Sequence, residues 1–238
     1  DALVVSIFVN PTQFGPREDL AKYPRPISHD RAICRQEGVD VCFEPTVETM
    51  YPAGFQTTVT VPAVARRWEG EARPHHFAGV ATVVTKLFGM VRPHRALFGQ
   101  KDFQQSVLVQ QLVKDLNLGV DIAVRPTVRE QDGLAMSSRN VYLSRDERGR
   151  AVVLYKGLQA GAKVIRTGET DARIIQSAMT QVILQESTIT TDYLAVCDPR
   201  TLEPVSSVTS RVVLLGAVRV GSVRLIDNLL VNTPRRAS

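Results

Sequence analysis

The chain has 238 residues, of which 44% are hydrophobic, and its formal net charge is +5. A chain of this length can bury a sizeable core and form one large or two modest domains. It has no apolar run near the about 18 residues of a membrane-spanning helix and no charged-then-apolar leader, so we expect a cytoplasmic protein without a membrane partner. Its basic residues are spread along the chain, which suits a small anionic substrate at least as well as nucleic acid.

The first part of the chain predicts a βαβ unit. Residues 2–9, ALVVSIFV, are β-branched and apolar on both faces, as is typical of a strand buried within a parallel sheet. Ser28 can cap a helix that stops at Gly38, and residues 39–43 then predict a second, parallel strand. A proline ends the first strand, which places Gln13 at a strand's carboxyl end, where ligand sites form.

The alternation continues through the middle of the chain. Apolar residues on nearly all sides predict a mostly buried helix over residues 77–91, which ends before Pro93. A strand over residues 95–98, a helix over residues 103–117 and a strand over residues 120–124 follow. This order of strands and helices predicts a doubly wound parallel α/β sheet.

The pattern changes after Pro126. Two long helical patterns are followed by three short apolar stretches that are typical of strands. The predicted helices cover residues 144–166 and 171–185. The predicted strands cover residues 193–197, 211–215 and 219–226. We therefore predict an α/β domain over residues 1–127 and a small α+β domain over residues 128–238.

Two polar loops each combine one cation with small hydrogen-bonding residues. One is Gly-Gln-Lys-Asp at residues 99–102, and the other is Met-Ser-Ser-Arg-Asn at residues 136–140. Hydroxyls, backbone N–H groups at a helix start and a bidentate guanidinium all suit phosphate oxygens, so the two loops could clamp a triphosphate. Two ordinary interpretations remain open: Lys101 and Asp102 could cap a surface helix, and the second loop could be a solvated turn.

Five segments match a known family in sequence, order and spacing. They are SIFVNPTQF at residues 6–14, YPR at 23–25, LFGQKDFQQ at 97–105, DGLAMSSRN at 132–140 and RLIDN at 224–228. Together they resemble the pantothenate synthetase (pantoate:beta-alanine ligase) family of the Rossmann-like nucleotidylyltransferase superfamily. The resemblance covers nearly the whole chain, and it implies a Rossmann-like domain, a small α+β domain, a homodimer and a mobile KMSKS-type loop at residues 136–139.

The resemblance also implies the reaction. A pantoate carboxylate attacks the α-phosphorus of ATP to give pantoyl adenylate and pyrophosphate, and the beta-alanine amine then attacks this adenylate, releasing AMP and pantothenate. ATP is the expected nucleotide substrate, and Mg²⁺ is expected to bridge its triphosphate. Two alternatives stay open: another nucleotidylyltransferase of the same fold that does not depend on beta-alanine, or a nucleotide-binding scaffold without catalysis. Nucleic acid is the least expected partner.

Matching motifs assign expected roles to single residues. The resemblance implies that four residues hold the ATP phosphates and carry the catalysis, namely Lys101, Ser137, Ser138 and Arg139. It implies that Gln13 and Gln105 grip pantoate, since a neutral amide binds hydroxyls and a carboxylate without neutralising the nucleophile, and that Gln13 also meets beta-alanine. The nucleotide site is implied to include Gly99, Gln100, Asp102, Val128 and Met136 as well.

The chain departs from the family pattern within two segments. His75 and His76 begin a segment that resembles the family's His-Phe-Arg-Gly-Val, with His76 at the matched histidine, but Ala78 replaces the arginine. Any role of that arginine is therefore expected to be lost or supplied elsewhere. His29 and Asp30 fall where the family often has acidic residues, which leaves Asp30 as the expected Mg²⁺ contact.

The family's His-x-Gly-His signature, whose histidines stabilise the triphosphate, does not occur in the sequence, and we expect the chain to start inside a domain. Loss of one preorganised donor to a transition state typically costs about 2.7 to 4 kcal/mol. We therefore predict that the 238-residue chain is inactive or nearly so. The check is to measure AMP formation from ATP, pantoate and beta-alanine. Turnover at a rate normal for the family would contradict this prediction.

Overall fold

This computed structural model describes residues 2–16 and 18–233. The described chain forms two compact units. The first comprises the chain up to Ala96 together with Leu108–Ile122, and the second comprises Leu97–Val107 together with the chain from Ala123 onward. The domain boundary expected near residue 127 stays a prediction, because close packing alone does not show that either part folds by itself.

The first unit opens with the predicted βαβ segment. Strand β1 (Val4–Ser6) pairs in parallel with strand β2 (Val41–Phe43), and helix α1 (Ile27–Gln36) connects them. Gly38 follows the helix with a φ of 69°, a left-handed conformation that glycine adopts without steric cost. The parallel pairing and the glycine stop are therefore confirmed.

Two details of this segment differ from the prediction. Within the described chain, strand β1 covers only Val4–Ser6 of the predicted stretch, and none of these three residues is fully buried. The expectation of a strand buried on both faces is therefore wrong. Ser28 does not cap α1, because the helix starts at Ile27 after Pro26, whose ring restricts φ. Ser28 consequently lies inside the first helical turn.

Helix α5 (His76–Val91) is the main buried element of the first unit. It buries Phe77, Val80 and Phe88 among other residues, and it ends at Arg92, whose φ of 51° is left-handed. The mostly buried helix predicted over residues 77–91 is confirmed. Three one-turn helices precede it: α2 (Val47–Met50), α3 (Pro62–Ala65) and α4 (Glu69–Ala72).

A second strand, helix and strand follow α5. Strand β3 (Arg95–Gly99) pairs with strand β4 (Asp121–Arg125), and helix α6 (Phe103–Asp115) lies between them in sequence. The sequence predicts these three elements to within two residues at each end. A 3₁₀ turn over Gln100–Asp102 joins β3 to α6, so Lys101 lies just before the helix.

The second unit is built on a three-stranded antiparallel sheet. Strands β5 (Ile189–Cys197), β6 (Val212–Val220) and β7 (Val223–Val231) pair in that order. Helices α8 (Val153–Arg166) and α9 (Ala172–Ile183) pack against each other and against this sheet. Fully buried members of the shared core include Leu158, Ile165, Ile175, Met179 and Leu214.

The strand boundaries in this unit differ from the prediction. The stretch predicted as one strand over residues 219–226 contains the turn between β6 and β7, where Gly221 has a φ of 56°. That single-strand prediction is wrong because the apolar, β-branched pattern continues on both sides of the turn. The three predicted strands nevertheless correspond to three real ones.

The long helix predicted from Ser144 is divided. Helix α7 (Arg145–Ala151) ends at Val152, after which α8 begins. Ser144 caps α7 through a capping box, in which its hydroxyl and the Glu147 carboxylate each accept a backbone hydrogen bond from the other residue. No helix in the described ranges is long and apolar enough to cross a bilayer.

Candidate active site

Gln13 lies in a three-residue 3₁₀ turn, Pro11–Gln13, rather than at the end of a strand. We call this the Gln13 turn. Asn10 precedes it and is only 2% exposed. The Asn10 Oδ1 accepts a hydrogen bond from the Tyr51 hydroxyl (2.8 Å), and its Nδ2 donates to the Gly79 carbonyl oxygen (3.1 Å). Asn10 therefore fixes the start of the turn to two other elements of the first unit.

Helix α5 approaches the Gln13 turn too closely to allow a side chain at Gly79. A Cβ atom there would lie 2.5 Å from the Thr12 carbonyl oxygen and 2.7 Å from the Gln13 nitrogen. Both distances are well inside van der Waals contact. Glycine is therefore required at this position for the turn to rest directly on the helix backbone.

Two side chains donate hydrogen bonds to the Gln13 carbonyl oxygen. They are Arg73, through Nη2 at 3.1 Å, and His76, through Nδ1 at 2.9 Å. A carbonyl oxygen only accepts, so His76 Nδ1 carries the proton. Burial lowers the pKa of His76 below its ordinary value and the Arg73 guanidinium lowers it further, so the imidazole is neutral at pH 7. Arg73 is itself held by an ion pair with Glu18.

Lys101 occupies the turn over Gln100–Asp102 in the second unit, which we call the Lys101 turn. Its ammonium group lies 3.4 Å from Asp102 Oδ1, and its side chain is 22% exposed. Gly99 and Asp102 are exposed and Gln100 is half-buried, so these three residues predicted to line the nucleotide site are accessible. A lysine in such a turn just ahead of a helix suits an anion.

Asn228, a buried residue of β7, binds the Lys101 turn. Its Nδ2 donates to the carbonyl oxygens of Gln100 (2.8 Å) and Lys101 (3.0 Å), and its Oδ1 accepts from Gln100 Nε2 (3.1 Å). Both amide protons of Asn228 are thereby used. The backbone of the turn is attached to the sheet of the second unit.

Residues 128–136 form a short hairpin that leads into the Ser-Ser-Arg loop. The Met136 nitrogen donates to the Val128 carbonyl oxygen (3.0 Å), and Arg129 and Ala135 form an antiparallel bridge. The hairpin thus brings together Val128 and Met136, two residues predicted to line the nucleotide site. They are 67% and 56% exposed, and such apolar groups beside polar ones are typical of small-molecule sites.

A buried ion pair anchors this hairpin to β7. Arg129 donates to both carboxylate oxygens of Asp227, at 2.6 and 2.8 Å, and to the Gly133 carbonyl oxygen at 3.0 Å. Its guanidinium also lies 3.8 Å from the centroid of the Tyr155 ring. The Asp227 side chain is 4% exposed, so the pair is largely shielded from water.

The Ser-Ser-Arg loop enters a 3₁₀ turn over Ser138–Tyr142. Ser137 caps this turn, because its hydroxyl oxygen accepts a hydrogen bond from the Arg139 nitrogen (3.3 Å). Accepting this bond leaves the hydroxyl proton able to donate to a ligand. Asn140 Nδ2 donates to the Ala135 carbonyl oxygen (3.1 Å), which ties the turn to the hairpin.

The predicted site residues Gln13, Gln105 and Asp30 lie outside the Lys101 turn and the Ser-Ser-Arg loop. Gln105 is a half-buried residue of α6 in the second unit, whereas Gln13 belongs to the first unit, so their joint role as pantoate ligands stays a prediction. Asp30 lies in the first turn of α1, where a carboxylate also interacts favourably with the helix dipole. Among the residues that the structure describes, no three His, Cys, Asp or Glu side chains cluster as a metal site.

Sequence reasoning missed the residues that hold these turns. Asn10, Asp227 and Asn228 lie inside matched segments, but a motif does not reveal what each side chain contacts. One signal was available in β7, which reads VRLIDNLLV. Two adjacent polar residues inside an apolar strand are costly to bury unless they find partners. The pattern therefore predicts partners without identifying them.

Comparison with known proteins identifies the family. The chain matches the family described as Pantoate-beta-alanine ligase over residues 1–230. This chain belongs to the pantoate-beta-alanine ligase family. The pantothenate synthetases of Acetivibrio thermocellus and Caldicellulosiruptor bescii are each 51% identical to it over 231 residues, which cover 97% of this chain and 82% of each relative.

Solved structures of the ligase family share the fold. The pantothenate synthetase of Thermus thermophilus superposes with a TM-score of 0.94 at 47% identity, over 96% of this chain and 83% of that one. A Francisella tularensis pantoate-beta-alanine ligase, complexed with beta-gamma ATP and beta-alanine, gives a TM-score of 0.77 at 33% identity, over 97% and 79%. The predicted nucleotidylyltransferase-type α/β fold with a C-terminal α+β domain is confirmed.

The first prediction from this site concerns Gly79. Gly79→Ala should destabilise the protein by about 1–3 kcal/mol, because the added methyl group must displace the Gln13 turn or the helix. Gly89→Ala is the matched control in the same helix, since its added Cβ meets nothing within 4 Å. The control should be neutral or stabilising by up to about 1 kcal/mol. Urea unfolding measures both, and equal effects would contradict the close approach.

The second prediction concerns His76 and pH. Its pKa is lower in the folded protein than in the unfolded chain, so the unfolded chain binds more protons between the two values. The stability that depends on neutral His76 is therefore fully present above the unfolded pKa of about 6.5 and decreases as pH falls below it.

Free energies of unfolding between about pH 7 and pH 5.5, above the range where most carboxylates titrate, test this. The parent should lose stability over that interval. His76→Asn keeps a donor near the Nδ1 position but cannot titrate, so its stability should change less with pH. His76→Ala should lose both the hydrogen bond and the pH dependence. A pH slope that persists in His76→Asn would show that another group is responsible.

Proposed function

We propose that the protein this chain represents catalyses the ATP-dependent condensation of pantoate with beta-alanine to give pantothenate, AMP and pyrophosphate, and that the 238-residue chain by itself is weakly active or inactive. Family membership over residues 1–230 supports the reaction, and so does the relative that was solved with beta-gamma ATP and beta-alanine. The observation that carries the proposal is the arrangement in the second unit. There, the Lys101 turn and the Ser138–Tyr142 turn both pack against β7.

The second unit supplies the proposed ATP site. Lys101 and Arg139 provide positive charge for the phosphates, and the hydroxyls of Ser137 and Ser138 donate hydrogen bonds beside them. The backbone of Gly99, Gln100 and Asp102 borders the phosphates, and the exposed apolar side chains of Val128 and Met136 border the nucleoside. Their accessibility and shared attachment to one sheet support these roles.

In the first step, a carboxylate oxygen of pantoate attacks the α-phosphorus of ATP. A phosphorus–oxygen bond forms, the bond to the bridging oxygen of pyrophosphate breaks, and negative charge grows on that leaving group. Fixed cations and hydroxyls at the phosphates stabilise this charge more in the transition state than in bound ATP. Lys101 and Arg139 are therefore the proposed catalytic residues, and Ser137 and Ser138 assist them.

In the second step, the amine of beta-alanine attacks the acyl carbon of pantoyl adenylate, and AMP leaves. Gln13 and Gln105 are the proposed ligands of pantoate, and Gln13 also meets beta-alanine. Neither step requires a covalent bond to the protein, so orientation of the reactants carries much of the rate. The several bonds that fix the Gln13 turn support its role as a positioning element.

Mg²⁺ is proposed to accompany ATP. It prefers oxygen ligands and is usually held by one or two carboxylates together with phosphates and water. A single carboxylate such as Asp30 fits that requirement, and we propose Asp30 as its protein contact. The ion would neutralise part of the triphosphate charge. The family resemblance also supports a homodimer and a cytoplasmic location, which we include in the proposal.

Lys101→Ala tests the proposed ATP site. The variant should weaken ATP binding and, with the family's His-x-Gly-His segment supplied, reduce pantoate-dependent pyrophosphate release by about 10²–10³-fold, the usual effect of removing one donor to a developing oxyanion. Lys114→Ala, which removes an exposed lysine near the end of α6, is the matched control and should behave like the parent. Calorimetry with ATP and a pyrophosphate assay measure the two effects. Equal behaviour of both variants would argue against Lys101 as a phosphate ligand.

A further inference from the structure

Two adjacent residues of β7 connect to both parts of the proposed ATP site. Asn228 binds the Lys101 turn, and Asp227 binds Arg129 in the hairpin that leads to the Ser-Ser-Arg loop. The two residues are also joined to each other, because the Asn228 nitrogen donates to Asp227 Oδ1 at 2.7 Å. The two segments that they bind are separate in sequence, whereas Asp227 and Asn228 are consecutive residues of one strand.

We propose that Asn228 is a positioning residue of the ligase that holds the Lys101 turn in the geometry required for ATP binding. Asp227 and Arg129 likewise fix the hairpin over residues 128–136. This inference rests on the proposed function. It adds a role for residues that do not themselves need to touch a substrate.

The chemistry of the Asn228 side chain supports this role. Its two Nδ2 protons face the carbonyl oxygens of Gln100 and Lys101, and its Oδ1 faces the Gln100 side-chain amide. A carboxylate at this position would direct negative charge at two carbonyl oxygens, and a smaller side chain would leave them without these donors. An amide satisfies all three partners at once.

Burial makes these contacts difficult to replace. Asn228 is 1% exposed and Asp227 is 6% exposed. A buried polar group that loses its partner keeps the full cost of its desolvation, so the network favours a single arrangement. Because two carbonyl oxygens of this three-residue turn are hydrogen-bonded, the backbone at Lys101 is held in one position, which limits where the lysine side chain can reach.

Asn228→Ala is the direct test, with Gln176→Ala as the matched control. Gln176 also donates through its amide to a sheet carbonyl, that of Leu194 at 2.8 Å, and it lies on α9 rather than beside the Lys101 turn. We expect Asn228→Ala to raise the dissociation constant for ATP about ten- to a hundredfold. Gln176→Ala should change it by less than about twofold. If Asn228→Ala does not fold, Asn228→Ser takes its place.

Hydrogen exchange and kinetics separate positioning from general loss of structure. Exchange in residues 97–105 should increase in Asn228→Ala and not in the control. With the family's His-x-Gly-His segment supplied, the KM for ATP should rise, whereas the KM for beta-alanine, whose proposed ligand Gln13 lies outside this network, should not change. A merely structural defect would lower the active fraction and leave both KM values unaltered. Unchanged exchange and ATP affinity in Asn228→Ala would overturn the inference.

A double-mutant cycle with Lys101→Ala completes the test. If Asn228 acts through Lys101, the double variant should bind ATP no more weakly than Lys101→Ala alone. Additive losses would show that Asn228 acts independently and would overturn the positioning role while leaving the ATP site intact. No loss in Lys101→Ala itself would instead overturn the proposed ATP site, and the inference with it.

Asp227→Asn, with Asp192→Asn as its control, tests the proposed role of Asp227 in fixing the hairpin over residues 128–136. Asp192 also accepts hydrogen bonds from arginines, Arg219 and Arg224, but it lies on β5 rather than β7. Asp227→Asn should loosen residues 128–136 in hydrogen exchange and weaken ATP binding, and Asp192→Asn should do neither. Equal effects of the two substitutions would remove the assigned role of Asp227.

Discussion

The buried ion pair between Arg129 and Asp227 is the interaction on which the organisation of the second unit's site depends. Removing two charges from water costs several kcal/mol per ion, and the attraction between them repays this only with good geometry and further hydrogen bonds. Here the guanidinium contacts both carboxylate oxygens, the Gly133 carbonyl oxygen and the face of Tyr155. Such a pair adds little stability over an apolar replacement, but it permits few alternative arrangements. Its effect is to fix where the hairpin meets β7.

In the first unit, the Gln13 turn is also held in place, but by hydrogen bonds and close packing. A 3₁₀ turn of three residues has too few internal hydrogen bonds to define its own position. The Gln13 turn is therefore held from outside, by Asn10 at its start, by His76 and Arg73 at its end and by the helix backbone at Gly79, which has no side chain. In both units, each of these short turns is fixed by side chains that lie on neighbouring elements.

The local sequence pattern predicted much of the fold, but few of the side-chain contacts that hold these turns in place. Helix α5 could be predicted because its burial depends on one apolar segment, in which apolar residues lie on nearly all sides of the helix. The turn at Gly221 could not, because an apolar, β-branched pattern continues through β6 and β7 and conceals where the chain reverses. The contacts within the proposed site join residues that are much farther apart in sequence. Asn228 and Gln100 are 128 residues apart, and Arg129 and Asp227 are 98 apart, so no window of local sequence contains either pair.

Motif matching and structure consequently identify different residues. A motif indicates candidate ligand-binding residues, such as Lys101, because their chemistry alone suggests a role. A residue such as Asn228 has an ordinary chemistry, and its importance arises only from the carbonyl oxygens that it faces. In a reaction that forms no covalent bond to the enzyme, rate depends on how accurately reactants and cations are held, and an error of about 1 Å can cost about a hundredfold. We therefore propose that the residues that fix the turns lower the same activation free energy as the residues proposed to contact ATP.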